Sequence, residues 1–251
     1  MKFLSDKHLE KYSRQIIIDK IGLDGQKKIL DSSICIIGCG GLGTSASQYL
    51  AMSGIGKLML VDDDRITLSN LNRQTLFTEK DIGRLKTVVL SENLQKINPV
   101  ARIEVTNKKV SSRNISNIIS DYGIILDCTD NFKSRYIINK YSVKQKKFLV
   151  SSALQNFDIQ ALAIAPWKGK IFPCYNCIFP ETKNLKIDGC DSLGIIAPIA
   201  GLGGVLQATM TIKIIISSSK NIFKELLLFD LFNNNFSKIK ISRNKNCNVC
   251  N

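Results

Sequence analysis

At 251 residues with 44% apolar content, the chain can bury a real core, and disorder is excluded as its default state. Thirty-five Lys and Arg against 21 Asp and Glu leave a formal charge of +14, which fits a nucleic acid, an acidic protein partner or a lysine-rich surface. The basic residues form no stripe with interleaved aromatics, so nucleic acid is not the expected partner. No uninterrupted apolar run approaches eighteen residues and the opening MKFLSDKHLEKYSRQ has no apolar core, so the expectation is a cytoplasmic protein without a membrane span.

In chain order, Ser33 to Gly38 (SICIIG) reads as a strand entering a glycine turn, and Leu42 to about Met52 as the helix after it. Lys57 to Asp62 (KLMLVD) completes a βαβ unit. A long helix is predicted from Ile82 to about Ile97, ended by Asn98-Pro99. It is followed by a strand at Arg102 to Thr106, a short helix around Val110 to Ser120 and a buried strand at Gly123 to Cys128. Another helix should follow TDN, then strands at Phe148 to Ser151 and Asp158 to Ala165, the second opening an antiparallel portion. Pro166 to Ala197 lacks periodicity and reads as a long surface excursion, of the kind that tends to be functional. Gly201 to Ile216 returns to a helical pattern, and Leu226 to Ile241 offers two strands joined by three asparagines. The alternation predicts a Rossmann-like α/β fold: a mostly parallel twisted sheet with helices on both faces and an antiparallel extension. One domain spans 1–251, with a nucleotide-binding half at about 1–150 and a partner-binding half at about 151–251.

The chemistry begins at GCGGLGTS. Gly38, Gly40 and Gly43 have the spacing of a dinucleotide-binding turn, and Asp62 lies where a carboxylate can accept hydrogen bonds from ribose hydroxyls. Alone, that pairing favours a nicotinamide or flavin enzyme. A P-loop would need lysine at 44, and the chain has Thr44. The loop SNLNRQ, Ser69 to Gln74, is overbuilt for ribose but suits a triphosphate, with Arg73 the first choice for charge-assisted donation. Lys86, near the start of a predicted helix, fits either a point charge over the same phosphates or a solvated helix lysine. Asp130, in CTDN at the end of a buried strand, fits Mg²⁺ binding; Thr129 or Asp130 also fits a helix N-cap.

GCGGLG, VDDD, SNLNRQ, DIGRLK, INP, LDCTDN and two C-x-x-C pairs occur in that order, from Tyr12 to Cys250. Together they resemble the ubiquitin-activating-enzyme-like adenylyltransferases of bacterial sulfur-carrier pathways, the family of the thiamine-thiazole and molybdopterin activators. The resemblance implies ATP-dependent adenylation of the C-terminal glycine carboxylate of a small ubiquitin-like carrier ending in Gly-Gly, with a sulfur donor such as a cysteine desulfurase acting next. It also implies a nucleotide-binding set of Gly38, Gly40, Gly41, Gly43, Asp62, Ser69, Asn70, Arg73, Lys86, Asp130 and Asn131. Arg14 resembles the family arginine that reaches a neighbouring subunit's nucleotide, which implies a homodimer. The alternatives are an NAD(P)-dependent oxidoreductase and adenylation of a modified tRNA nucleoside.

The cysteines divide by spacing. Cys174 and Cys177 are separated by 69 residues from Cys247 and Cys250, and the four are expected to close one structural zinc knuckle. A redox dithiol is the competing reading of either pair. Some relatives use a cysteine placed like Cys190 as a nucleophile for sulfur transfer and others do without it; Lys183 and Lys186 are the cations near it. Cys35, Cys39 and Cys128 read as packing residues. Trp167 and Phe172 are expected to cover the knuckle, and with His8 as the single histidine a Ser-His-Asp or Cys-His mechanism lacks raw material.

Overall fold

The computed structural model describes residues 4–181, 194–217 and 221–251. Three helices, α1 (Asp6–Lys11), α2 (Ser13–Ile16) and α3 (Gly22–Asp31), precede β1 (Ser33–Ile37), α4 (Gly41–Met52) and β2 (Lys57–Val61). There follow α5 (Lys86–Ile97), β3 (Arg102–Thr106), α6 (Ile115–Ile118), β4 (Ile124–Asp127), α7 (Phe132–Lys144), β5 (Phe148–Gln155) and β6 (Asp158–Ile164). The last part holds α8 (Tyr175–Ile178), α9 (Ala197–Ile216), β7 (Glu225–Asp230) and β8 (Asn235–Lys240).

These strands form one sheet in the order β3-β2-β1-β4-β5-β6-β7-β8. Pairing is parallel from β3 to β5 and antiparallel from β5 to β8. The chain steps outward from β1 in both directions, so the carboxyl ends of β1 and β4 flank a crevice where open α/β sheets collect ligands. Strand side chains alternate between two cores. Ile34, Ile36, Leu58, Leu60 and Leu126 face α4 and α5; Cys35, Ile37 and Ile125 share the opposite core with Ile115 and Ile138 of α6 and α7 and with Cys174 and Cys247.

Several boundaries differ from the sequence expectation. The helix predicted from Ile82 starts at Lys86, because Gly83 has φ +85° and Leu85 bridges back to Arg65. The helix expected over Val110 to Ser120 shrinks to Ile115–Ile118. α9 begins earlier than expected, at Ala197, with a proline in its first turn where the missing N–H costs nothing. Although Gln207, Thr209, Thr211 and Lys213 interrupt it, α9 is long and apolar enough by composition to cross a membrane. Here it lies on α4, β5 and β6.

Candidate functional site

The glycine turn is built by steric exclusion. Gly38 leaves β1 with φ +97°, and a Cβ there would stand 2.6 Å from the Cys128 carbonyl oxygen. At Gly43 a Cβ would come within 2.0 Å of the Gly38 oxygen, so the first turn of α4 packs directly on the strand end. Gly40 is different: its nearest neighbour in the Cβ direction is the Gln74 Nε2 at 3.6 Å, which leaves that face open to a ligand. A Cβ at Gly41 would stand 2.8 Å from Ala200 of α9 and 3.3 Å from the Arg73 carbonyl, so SNLNRQ lies close against the turn. Thr44, where a P-loop has lysine, returns its hydroxyl to the Gly40 carbonyl at 2.9 Å.

Asp62 follows β2, and backbone donors hold both its oxygens: the Cys39 N–H at 2.6 Å and the Asp64 N–H at 2.9 Å. Burial pushes this carboxyl up, against the opposing pull of the Cys39 amide and the Lys86 ammonium. Lys86 is no solvated helix lysine. Its side chain is 8% exposed and its Nζ stands 2.8 Å from Asp64 Oδ2. The segments carrying these groups are stitched together by Lys86 N–H to the Asp64 carbonyl and Ile66 N–H to the Arg84 carbonyl. Asp62, Asp63 and Asp64 bring their carboxylates within 4.8 Å of one another, and Lys86 supplies the compensating charge.

The SNLNRQ loop is held mainly by itself. Arg73 donates from Nη1 to the Ser69 carbonyl at 2.9 Å and to Asn72 Oδ1 at 3.1 Å. Asn70 Oδ1 accepts from the Thr67 N–H, and the Ser69 hydroxyl lies 3.1 Å from that of Thr67. These contacts preset the loop while leaving the remaining Arg73 donors for a ligand. On the other side of β1, Asp130 is exposed and accepts from Asn131 Nδ2 at 3.2 Å. The cap of α7 is Asn131, whose Oδ1 accepts the Ser134 N–H at 2.9 Å, rather than Thr129 or Asp130. Thr129 turns its hydroxyl back to Asp127 at 2.6 Å, and the Asp130 carboxylate is occupied by the Asn131 side-chain amide instead of the helix N–H groups. Arg14 is exposed on α2 and joins none of these residues by a hydrogen bond or ion pair among the described residues.

Asp127, Gln207 and Gln74 escaped the sequence reading. Buried Asp127 accepts from the Thr129 N–H and hydroxyl and from the Ser151 hydroxyl, and Gln207 donates to the Asp127 carbonyl at 2.8 Å. Gln74 is 2% exposed; its Nε2 lies toward the open face of Gly40, and its Oε1 has no hydrogen-bond partner among the described residues. The buried strand end LDC was a signal for the first, and the close of SNLNRQ was one for Gln74; nothing local marked Gln207. Beside this site a cavity of about 720 Å³ runs from Asn72 past Ile195 and Ile196 to Phe157 and Phe232.

The four knuckle cysteines meet as expected. Sulfur separations are 3.9 Å for Cys174 to Cys177, 3.6 Å for Cys174 to Cys247 and 3.5 Å for Cys177 to Cys250. A tetrahedral ion with four sulfurs at about 2.3 Å needs pairs roughly 3.8 Å apart, so the donor set fits a thiophilic metal. Burial opposes ionisation of Cys247, yet the Val249 and Cys250 amides bring that thiol down to about 7. Asn139, fully buried, keeps its Nδ2 without a conventional acceptor and faces the Cys174 sulfur, as a donor to a metal-bound thiolate would. Trp167 and Phe172 do not cover the knuckle. Trp167 rests on Phe148 at 5.6 Å and Phe172 on Phe223 at 6.0 Å, both in the core beneath α9, because the larger apolar cluster lies there. Tyr175 takes the place beside the sulfurs. Cys35, Cys39 and Cys128 are buried, and burial raises all three thiols. Cys190, with Lys183 and Lys186, lies outside the described residues.

Residues 12–249 match the model of the ThiF family. The chain belongs to that family. This ThiF-family chain is 37% identical over 248 residues to the sulfur carrier protein ThiS adenylyltransferase of Escherichia coli, covering 98% of this chain and 97% of that one. It is 36% identical over 246 residues to a probable molybdopterin-synthase adenylyltransferase of Gracilaria tenuistipitata, covering 98% and 68%. Among solved structures, E. coli MccB crystallised with ATP superposes with a TM-score of 0.81 at 26% identity, over 96% of this chain and 74% of that one.

Proposed function

We propose that the chain adenylates the C-terminal glycine carboxylate of a small ubiquitin-like sulfur carrier ending in Gly-Gly, using ATP. The observation that carries this reading is the meeting of an open glycine turn, a ribose-competent Asp62 and a preset Arg73 loop at the carboxyl edge of the parallel strands, in a ThiF-family chain. The Arg73 carbonyl and Cγ pack against the turn, and the family membership removes the support for an oxidoreductase.

Roles follow from charge and position. Asp62 takes the ribose hydroxyls; Gly40 leaves the turn open to the phosphates, and Gly38, Gly41 and Gly43 set the tight packing that holds that opening at the start of α4. Ser69, Asn70, Arg73 and Lys86 stabilise phosphate oxygens, with Asp130 and Asn131 across the crevice. The carrier carboxylate attacks the α-phosphorus, the bond to the bridging oxygen breaks, and pyrophosphate leaves with that electron pair. Two anions must meet for this step, so clustered cations are the main catalytic resource. Mg²⁺ held by Asp130 would offset charge on the departing phosphates. A zinc ion held by Cys174, Cys177, Cys247 and Cys250 would pin the C-terminal tail. Arg14 joins the site if two copies pair so that it approaches the nucleotide of the other.

We assign the nucleotide to the half at about 1–150 and the carrier to 151–251, with the cavity between Asn72 and Phe232 admitting the carrier's tail. Release of the acyl-adenylate to a sulfur donor, with or without a covalent step at Cys190, follows. The thiamine and molybdopterin branches are separated by the carrier. Incubation with ATP, Mg²⁺ and each candidate carrier should release pyrophosphate and add one AMP to the correct carrier by mass spectrometry. Tight NADH binding with no pyrophosphate from any Gly-Gly carrier would overturn the reading.

A further inference from the structure

Helix α7 stands between the Asp130 loop and the cysteine knuckle and touches both. Its cap, Asn131, adjoins Asp130. One turn in, Arg135 is 5% exposed; its Nη2 donates to the Thr129 carbonyl at 2.7 Å, and its guanidinium also engages the Tyr175 hydroxyl. A turn further, the Asn139 Oδ1 accepts the Tyr175 N–H at 3.0 Å while its Nδ2 faces the Cys174 sulfur. Residues four apart share one helix face. Tyr175, directly after Cys174, is therefore held at its amide by Asn139 and at its hydroxyl by Arg135.

The other end of this path is equally constrained. The Thr129 amide and hydroxyl are both taken by Asp127, and its carbonyl by Arg135. With all three polar groups engaged, the direction in which Asp130 leaves the loop is set by its neighbours. A buried guanidinium and a buried amide are costly ways to pack a helix unless each is fully paired. Among the described residues the Asn139 Nδ2 has no nitrogen or oxygen acceptor, and a metal-bound thiolate at Cys174 would supply one.

We propose that Arg135 and Asn139 are positioning residues that make the placement of the Thr129–Asp130 loop depend on a metal-filled knuckle, so that the adenylation site is complete only when the four cysteines hold their ion. The proposal rests on Asp130 serving the reaction described above. It assigns the knuckle a second task besides pinning the tail.

The first arm compares Arg135→Gln, Arg135→Lys and Tyr175→Phe in pyrophosphate release with ATP, carrier and varied Mg²⁺. Arg135→Gln should lower kcat by about 10- to 100-fold, the usual range for residues that orient a site through another group. It should also raise the Mg²⁺ needed for half-maximal rate several-fold, with the KM for ATP little changed and one zinc retained per chain. Arg135→Lys should recover part of the loss. Tyr175→Phe, which removes only a hydroxyl, should show the same pattern more weakly and covers the case in which Arg135→Gln does not fold. Wild-type kcat and Mg²⁺ dependence in the folded variants would sink the idea. The second arm strips the metal with a chelator and follows hydrogen exchange. Amides of residues 128–136 should exchange at least about tenfold faster while β1 stays protected. Faster exchange confined to 174–178 and 244–250, or spread through β1 as well, overturns the coupling. This arm needs no turnover, so a wild-type chain that releases no pyrophosphate defeats the proposed reaction and leaves the coupling to be decided by exchange.

Discussion

The glycine turn and the cysteine knuckle reach their geometry by opposite routes. At the turn, short motifs follow the strands that carry them, and backbone sterics and backbone donors do the positioning: Gly43 against the Gly38 carbonyl, and Cys39 and Asp64 amides on Asp62. At the knuckle, sulfurs from two distant stretches of chain are gathered to 3.5–3.9 Å. Four thiolates at that spacing repel one another without a cation among them. Backbone packing alone sets the turn, whereas the four sulfurs of the knuckle stand at a spacing that a thiophilic cation would relieve. The difference teaches that preorganisation comes cheaply where the parallel sheet already places strand ends side by side.

If the glycine turn is a backbone construction, glycine substitutions there should separate folding from nucleotide binding. Gly43→Ala, whose Cβ would sit 2.0 Å from a carbonyl oxygen, is expected to destabilise the chain by more than about 3 kcal/mol, read as a large loss in the unfolding midpoint. Gly40→Ala, with nothing nearer than 3.6 Å, should unfold like the parent and lose nucleotide affinity. Equal stability of the two variants would break the comparison.

Next in size is the guanidinium. Arg73→Ala should cost about 3 kcal/mol in the transition state, roughly a hundredfold in rate, with thermal unfolding unchanged, because among the described residues the side chain bonds within its own loop. Arg73→Lys should recover only part of the rate, since a point charge cannot reproduce the planar fork.

The smallest effect sharpens the contrast through pH. Burial, the largest influence on Asp62, raises its folded-state pKa despite its two amide donors and Lys86. A raised acid contributes stability that is fully present below the ordinary carboxylate range and lost as the pH rises through the folded value. At neutral pH ionised Asp62 therefore works against the ligand-free fold. Asp62→Asn should lose nucleotide binding without lowering the neutral-pH melting temperature, and any gain should shrink as the pH falls below the carboxylate range. A clear drop in melting temperature at neutral pH would contradict this.

Much of the site was legible because its parts are contiguous. GCGGLG announces a strand-to-helix turn, and Asp62 and Asp130 each follow an apolar strand. The knuckle was readable from two repeats of one spacing. Lys86 remained open between a phosphate role and a solvated one, since its burial and its ion pair with Asp64 depend on the extended stretch after Gly83. Trp167 and Phe172 were placed on the wrong side because sequence proximity to Cys174 says nothing about which face of the sheet an irregular segment turns toward.

By itself the amino-acid order determined the strand-helix alternation, the glycine turn, the acids at strand ends and the pairing of cysteine ligands. Each depends on a local steric rule or a short repeat. Only the tertiary structure decided that Lys86 is buried beside Asp64, that Asn131 rather than Asp130 caps α7, and that Arg135 and Asn139 span the distance from the Thr129 carbonyl to the Cys174 sulfur. Those facts arise from side chains far apart in the chain competing for the same buried partners, and such competition is settled only once the sheet has brought them together.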